Sequence, residues 1–246
     1  MKKRIVVVSM LLLLALAAAA PAADEMKMPK KAAKLMAKAQ EAIQQKQTDK
    51  AIDLLNQVLA LAPENAVVHH NLGVLYFEKG MTDQAIGKFE EALARQADYQ
   101  HAQLALRQAL FEAGKGASGS KEYEKANAYL LKLDSLPIPA GENKNLLATA
   151  QYLLGYNFFN LQQYPRALEF FGRCRAGEGL EKDNLELFAN ATYFIAMINH
   201  VQGQYGTSSE FFRKYLALYA GGEAKPEFFT HANYFIGANL FRQLEE

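Results

Sequence analysis

Two stretches of this chain repeat one spaced pattern of residues. The first contains Leu72-Gly73-Val74-Leu75-Tyr76, with an Ala 12 residues and a Phe 16 residues after its glycine. The second contains Leu154-Gly155-Tyr156-Asn157-Phe158, with an Ala and a Phe at the same offsets. Apolar residues recur there every three or four positions, which indicates helices with one buried face. A short unit that recurs along a chain predicts stacked helical units that bury a shared core.

The pattern resembles the tetratricopeptide repeat (TPR), a helix–turn–helix hairpin of 34 residues. With the Leu-Gly pair at positions 7 and 8, six units begin near Ala32, Ala66, Gln100, Ala148, Ala189 and Thr230. The first three starts are 34 residues apart and the last three are 41 apart. This register predicts an insertion, rich in Gly and Ser, from Gly114 to Ser120 in the third unit. The sixth unit ends before a second helix.

The resemblance implies an all-α fold, a TPR solenoid of about five helical hairpins plus a terminal unpaired helix. Glycine inside a helix costs about 1 kcal/mol relative to alanine. Gly73, Gly155 and Gly237 therefore predict places where the paired helix crosses too closely for a side chain. Stacked hairpins bury a continuous core that no single hairpin could form.

Four segments are expected along the chain. They are a signal peptide at 1–23, TPR units one to three at 30–137, a linker loop at 138–145, and units four and five with the terminal helix at 146–246. The linker is predicted from Pro137, Pro139 and Gly141, which interrupt the helical pattern.

The first 23 residues have the features of a secretory leader. Lys2-Lys3-Arg4 precedes an apolar run from Ile5 to Ala20, and Ala20-Pro21-Ala22 supplies small residues for cleavage after Ala22 or Ala23. We expect a periplasmic or secreted protein with no stable membrane span once the leader is removed. An uncleaved leader that tethers the protein to the membrane is the alternative.

Charge and cysteine content narrow the class of protein. Without the three leader cations the chain has 24 basic and 26 acidic side chains, so we expect no nucleic-acid partner. Cys174 is the only cysteine and cannot form an internal disulfide. Its place at a small-residue position of a repeat predicts a buried side chain.

The TPR resemblance also predicts the partner-binding surface. In this family the first helix of each hairpin lines a concave groove, and positions 2, 5, 9 and 12 usually face the ligand, with 6 and 13 sometimes contributing. The residues that we assign to the groove are His70, Val74, Phe77, Leu104, Phe111, Tyr152, Tyr156, Phe159, Tyr193, Met197, Tyr234 and Phe241. Tyr152, Tyr156 and Phe159 lie at i, i+4 and i+7, so they form one stripe on one helix. The alternative is that these rings pack between neighbouring repeats.

The sequence shows no chemistry that would indicate an enzyme. The five histidines have no metal-ligand spacing, although His70 and His101 could approach each other on neighbouring first helices. No phosphate-binding loop, dinucleotide-binding glycine pattern or nucleophile motif is present. We expect no catalytic residue, no metal and no cofactor.

Three functions remain open from the sequence. The leading prediction is a non-catalytic scaffold that binds a protein or peptide segment, in cell-envelope assembly or secretion. The Ala-x-Tyr triplets Ala150-Gln151-Tyr152, Ala191-Thr192-Tyr193 and Ala232-Asn233-Tyr234 resemble envelope-assembly TPR proteins. The second is a self-assembling structural protein that forms a homodimer through the terminal helix. The third is a small-ligand sensor.

Overall fold

The computed structural model describes residues 28–140, 142–220 and 227–245, and within them all regular structure is helical. The predicted leader at 1–23 lies outside the described residues. The helices are α1 Lys30–Gln44, α2 Thr48–Leu59, α3 Ala66–Glu78, α4 Thr82–Arg95, α5 Gln100–Gly119, α6 Tyr123–Ser135, α7 Lys144–Asn160, α8 Tyr164–Arg175, α9 Leu180–Asp183, α10 Leu185–Val201, α11 Tyr205–Ala217 and α12 Phe229–Glu245. The predicted all-α fold is confirmed.

Five hairpins are formed by consecutive long helices, namely α1–α2, α3–α4, α5–α6, α7–α8 and α10–α11. Each hairpin turn contains one residue with positive φ, at Lys46, Gly80, Lys121, Gln162 and Gly203. These five residues are separated by 34 residues once and then by 41 three times. The turn therefore occupies the same place in every unit, and it gives the repeat register independently of the Leu-Gly pattern.

The third unit begins seven residues later than the sequence pattern predicted. Its turn residue, Lys121, places the first position of the unit at Arg107 instead of Gln100. The repeat glycine is then Gly114, which belongs to the continuous helix α5. The predicted insertion at Gly114–Ser120 is wrong, because all but its last residue is the end of that helix. Two additional turns at the start of α5 made the first three units look evenly spaced.

Glycine at position 8 lets the two helices of a hairpin cross closely at Gly73 and Gly155, as predicted. The same prediction for Gly237 is wrong, because a Cβ atom added there would meet no described atom within 4 Å. A Cβ atom added to Gly73 would lie 2.5 Å from the Phe89 ring, and one added to Gly155 would lie 2.7 Å from the Phe171 ring. Gly114 has the same relation to Leu130, at 2.5 Å. Contacts this short are sterically impossible, so close packing of the second helix compensates for the helix propensity that glycine lacks.

The chain divides into two compact units. Unit 1 contains residues up to 110 together with 138–140, and unit 2 contains 111–137 together with 141–246. The predicted division at 138–145 differs from this one, because the hairpin α5–α6 groups largely with the later helices. In unit 1, the core cluster formed by α1, α2 and α3 is aliphatic. Its members are Ala32, Met36, Ala39, Ala42, Ala51, Ile52, Leu55, Val58, Val68, Leu72 and Leu75.

Candidate functional site

The predicted groove residues fall into three classes of exposure. His70, Val74, Phe111 and Tyr193 are buried, so their side chains offer a partner almost no accessible surface. Phe77, Leu104, Tyr152, Tyr156, Phe159 and Met197 are half-buried. Tyr234 and Phe241, on α12, are exposed. The corrected register also moves Phe111 from position 12 to position 5 of its unit, and it leaves Leu104 before the first position.

The aromatic stripe, Tyr152, Tyr156 and Phe159 on α7, lies against one ring of the next first helix. The centroid of Phe194, on α10, is 6.1 Å from that of Tyr152, 5.6 Å from Tyr156 and 5.3 Å from Phe159. Phe194 also stacks on Phe171, with ring planes 5° apart. The stripe thus takes part in packing between repeats, and Phe194 is the ring that its three members share.

All three rings of this aromatic stripe keep part of their surface exposed. All three rings are of intermediate exposure, whereas Phe194 beneath them is buried. Burial raises the pKa of the Tyr152 phenol, which therefore remains a neutral hydroxyl at physiological pH. Rings held at one edge present apolar area and hydroxyl groups at a small cost in conformational entropy. The arrangement can bind apolar or aromatic anchors of a protein segment.

Tyr193 belongs to a second group of aromatic rings, which meets the first at Phe194, 5.5 Å from the Tyr193 ring. Its ring stacks on Phe228 at a centroid distance of 4.3 Å and meets Phe212 and Tyr215 at 5.7 and 5.5 Å. The Tyr215 hydroxyl accepts a hydrogen bond from the Phe228 backbone N–H at 3.1 Å. These contacts secure the residues that lead into α12, which explains why Tyr193 is buried.

Buried asparagines join neighbouring repeats in unit 2. Asn157 on α7 donates from Nδ2 to Asn127 Oδ1 at 3.0 Å and accepts from the Ser118 hydroxyl at 2.6 Å. Asn239 on α12 donates to Ser208 Oγ at 2.9 Å, and its Oδ1 lies 2.6 Å from His200 Nδ1. Both asparagines stand at position 10 and contact both helices of the preceding hairpin. Sequence reasoning missed this pair, although Gly155-x-Asn157 and Gly237-x-Asn239 share one spacing.

Unit 1 contains a buried cluster of histidine and tyrosine side chains. The His70 ring lies 5.2 Å from Tyr99 and 6.4 Å from His101, so the approach of the two histidines occurs. Burial, and to a smaller extent His101, lowers the pKa of His70 to about 4, despite the opposing hydrogen bond to Asn71. His70 is therefore neutral at physiological pH. Within the described residues, no group of three or more His, Cys, Asp or Glu side chains is arranged to hold a metal.

A cavity of about 660 Å³ lies beside the ends of α8 and α11 in unit 2. The guanidinium of Arg175, one of its lining residues, is 4.8 Å from the Phe188 ring and 5.6 Å from the Phe211 ring. Desolvation lowers the pKa of Arg175, while Glu181 opposes that shift. The charges around the cavity are mixed, because Glu181 and Lys182 both line it.

Two further observations concern the reactivity of the single cysteine and the search for a membrane-spanning helix. The Cys174 thiol is buried as predicted, and desolvation raises its pKa to about 12, so the thiol is unreactive at physiological pH. In the part of the chain that the structure describes, no helix combines the length and hydrophobicity needed to cross a membrane.

Comparison with known proteins gives a family match over part of the chain. The family model of the tetratricopeptide repeat matches residues 42–87, which include all of α2 and α3. No curated protein matches the chain.

Solved structures with a similar course of the backbone have low sequence identity. A MamA protein is 18% identical, with 81% of this chain and 100% of that chain covered and a TM-score of 0.47. MamA from Desulfovibrio magneticus RS-1 is 16% identical, with 80% and 99% covered and a TM-score of 0.42. YrrB, described as a TPR protein with an unusual peptide-binding site, is 17% identical, with 81% and 90% covered and a TM-score of 0.45. Likenesses this distant carry no functional inference.

The hairpin geometry extends beyond the matched segment. The turn residue recurs at one position in five hairpins, and the glycine of position 8 lies against the second helix in three of them. Together with the family match over residues 42–87, these features support a tetratricopeptide-repeat protein.

Proposed function

We propose that this protein is a non-catalytic scaffold of the bacterial envelope that binds a protein or peptide segment on the aromatic stripe of unit 2. TPR proteins bind protein or peptide partners, which supports the general class. The specific site is proposed from the contact of Tyr152, Tyr156 and Phe159 with Phe194, because that contact holds three partly exposed rings in fixed positions.

The chemistry of the stripe indicates what kind of segment it binds. It presents aromatic carbon and phenol hydroxyls and contains no ionised side chain. Aromatic residues that are already ordered before binding supply much of the affinity at protein interfaces. The partner is therefore a segment with apolar or aromatic anchors and a hydrogen-bond acceptor near the tyrosines. An extended peptide and an amphipathic helix both meet this description.

A photo-crosslinking experiment tests the site. A photoreactive phenylalanine analogue at position 156 should form an adduct with one defined partner in intact cells, whereas the analogue at Tyr129 should not. Tyr129 is a half-buried tyrosine on α6, a second helix of the same unit, so it provides a matched control. The site is excluded if the two positions give the same adducts.

A charge substitution then tests whether formation of the adduct depends on the aromatic stripe. Phe159→Lys retains an aliphatic stem against Phe194 and adds an ammonium group at the outer edge of the stripe. With the photoreactive residue at 156, this change should reduce the adduct at least tenfold, while Tyr129→Lys should leave it unchanged. Circular dichroism verifies that each variant is folded.

Export is the second part of the proposal and has its own test. The leader at 1–23 should be removed after Ala22 or Ala23. The mass of the protein from the periplasm or medium should therefore match a chain that begins at Ala23 or Asp24. Leu12→Arg, in the apolar run, should retain the full-length chain inside the cell. A full-length chain in the membrane fraction of the wild type would indicate the tethered alternative.

A further inference from the structure

The glycine of position 8 on α12 lacks the neighbour that its equivalents have. The added Cβ atoms of Gly73, Gly114 and Gly155 would each collide with a buried side chain of a second helix. An added Cβ on Gly237 would meet no atom within 4 Å among the described residues. The surface that packs against a helix elsewhere in this chain is open on α12.

A continuous apolar stripe surrounds this open glycine. Tyr234 is 68% exposed, Phe241 61% and Leu244 88%. With Gly237 they follow the spacing i, i+3, i+7 and i+10, which places all four on one side of the helix. We call these four residues the terminal stripe. Ala232 and Asn239, which are buried, lie on the other side of α12, where it packs against the preceding hairpin.

We propose that a second copy of this chain covers the terminal stripe, so that two α12 helices pair antiparallel about a two-fold axis. Phe241 of each copy then lies over Gly237 of the other, and Tyr234 of each lies beside Leu244 of the other. The ring on the glycine repeats the contacts of Phe89 with Gly73 and of Phe171 with Gly155 inside the hairpins.

The order of the four residues is what identifies a second copy as the occupant. In a two-fold interface, residue i contacts residue j and residue j contacts residue i. An antiparallel pair centred on residue 239 joins 237 with 241 and also joins 234 with 244. This register therefore places a Phe241 ring over Gly237 of each copy. It also pairs the exposed Tyr234 of each copy with the apolar Leu244 of the other.

The charges on α12 agree with this arrangement. The terminal stripe contains no ionised residue, so no like charges oppose each other at its centre. Near the end of α12, Arg242 Nη1 and Glu245 Oε2 form an ion pair at 3.3 Å within the same helix.

The size of the surface predicts a reversible dimer. One helix of 17 residues presents less than the roughly 800 Å² per partner that is typical of stable protein complexes. Sedimentation equilibrium of the mature protein from about 1 to about 200 μM should therefore show a monomer–dimer equilibrium with a dissociation constant in the micromolar range. A monomer at every concentration overturns the proposal.

Charge pairs test both the surface and the register. Tyr234→Glu and Leu244→Lys should each raise the dissociation constant at least tenfold, because each buries an unpaired charge. Combining them should restore dimerisation to within about threefold of the wild type, since the new carboxylate of one copy then meets the new ammonium group of the other. The combination Tyr234→Glu with Leu244→Glu should not restore it.

A control variant and two further outcomes also test the proposed dimer. Val201→Glu changes an exposed apolar residue on α10, outside the terminal stripe, and should leave the equilibrium unchanged. A dimer that is insensitive to Tyr234→Glu and Leu244→Lys uses another surface and overturns the proposal. Failure of the opposite-charge pair to restore the dimer overturns the register. Thermal unfolding confirms that each variant is folded, which exposed positions should permit.

Discussion

The two compact units use different residues to pack one repeat against the next. In unit 1, the first helices α1 and α3 have 15 and 13 residues, and the core cluster that joins them consists of alanine, methionine and branched aliphatic side chains. In unit 2, α7, α10 and α12 each have 17 residues and meet their neighbours through rings and buried amides. Longer first helices have more surface between repeats, and in unit 2 that surface is aromatic.

A partner surface can arise on a repeat fold where the side chains that pack two repeats together stay partly exposed. An aliphatic contact between repeats leaves little to recognise once it is packed. A ring cluster centred on Phe194 keeps three further rings partly outward, so the same side chains can pack a repeat and face a partner. The difference between the units therefore predicts that a partner binds unit 2.

Removing Phe194 should produce the largest effect and should be confined to unit 2. Phe194→Ala leaves a large cavity beneath Tyr152, Tyr156 and Phe159 and should lower the free energy of unfolding by about 3–5 kcal/mol. Hydrogen exchange should accelerate in α7 and α10 and change little in α1–α3. Equal acceleration in both units would show that the chain unfolds as one cooperative block.

Two glycines of one hairpin in unit 1 should respond in opposite directions. Gly73→Ala pushes a Cβ into the buried Phe89 ring and should destabilise the protein by about 1–3 kcal/mol. Gly87→Ala, on the paired helix, meets no atom within 4 Å and should stabilise it by about 1 kcal/mol. Denaturant unfolding measures both. The same sign for both would mean that helix propensity, rather than close crossing, controls position 8.

The asparagine contacts between repeats of unit 2 should contribute a measurable coupling. Asn157→Ala leaves the buried side chains of Ser118 and Asn127 without this partner and should cost about 1–3 kcal/mol. A double-mutant cycle with Ser118→Ala should give a coupling of about 1 kcal/mol, because the second change removes a group that the first left unpaired. Additive effects would contradict a direct contact in solution.

Lowering the pH should destabilise the fold of unit 1 through protonation of His70. The folded-state pKa of His70 is lowered to about 4 from 6.5, so the unfolded state binds more protons between these values. The stability that this residue contributes is present above pH 6.5 and is lost as the pH falls toward 4, at a cost of about 1–3 kcal/mol. In His70→Leu that part of the pH dependence should disappear. Urea titrations from pH 7 to pH 4 compare the two proteins, and parallel curves would contradict the prediction.

Much of the architecture could be predicted from the sequence because it depends on local pattern. The glycine at position 8, the Ala and Phe that follow it, and the apolar spacing correctly indicated helical hairpins and their close crossings. The third unit was misplaced because its repeat glycine, Gly114, lacks the preceding Leu and because α5 starts two turns early. A helix with several glycines, as from Gly114 to Gly119, looks like a loop when its packing partner is unknown.

The partner surface could be predicted only in part, because exposure depends on which face of a helix meets its neighbour. The sequence by itself determined the repeat, the helix pairs and the aromatic stripe on α7. Only the tertiary structure decided that Phe194 packs beneath that stripe, that His70 and Val74 are buried, and that Gly237 stays open. Spacing along a helix specifies direction, whereas burial is set by residues from other helices that no local pattern identifies.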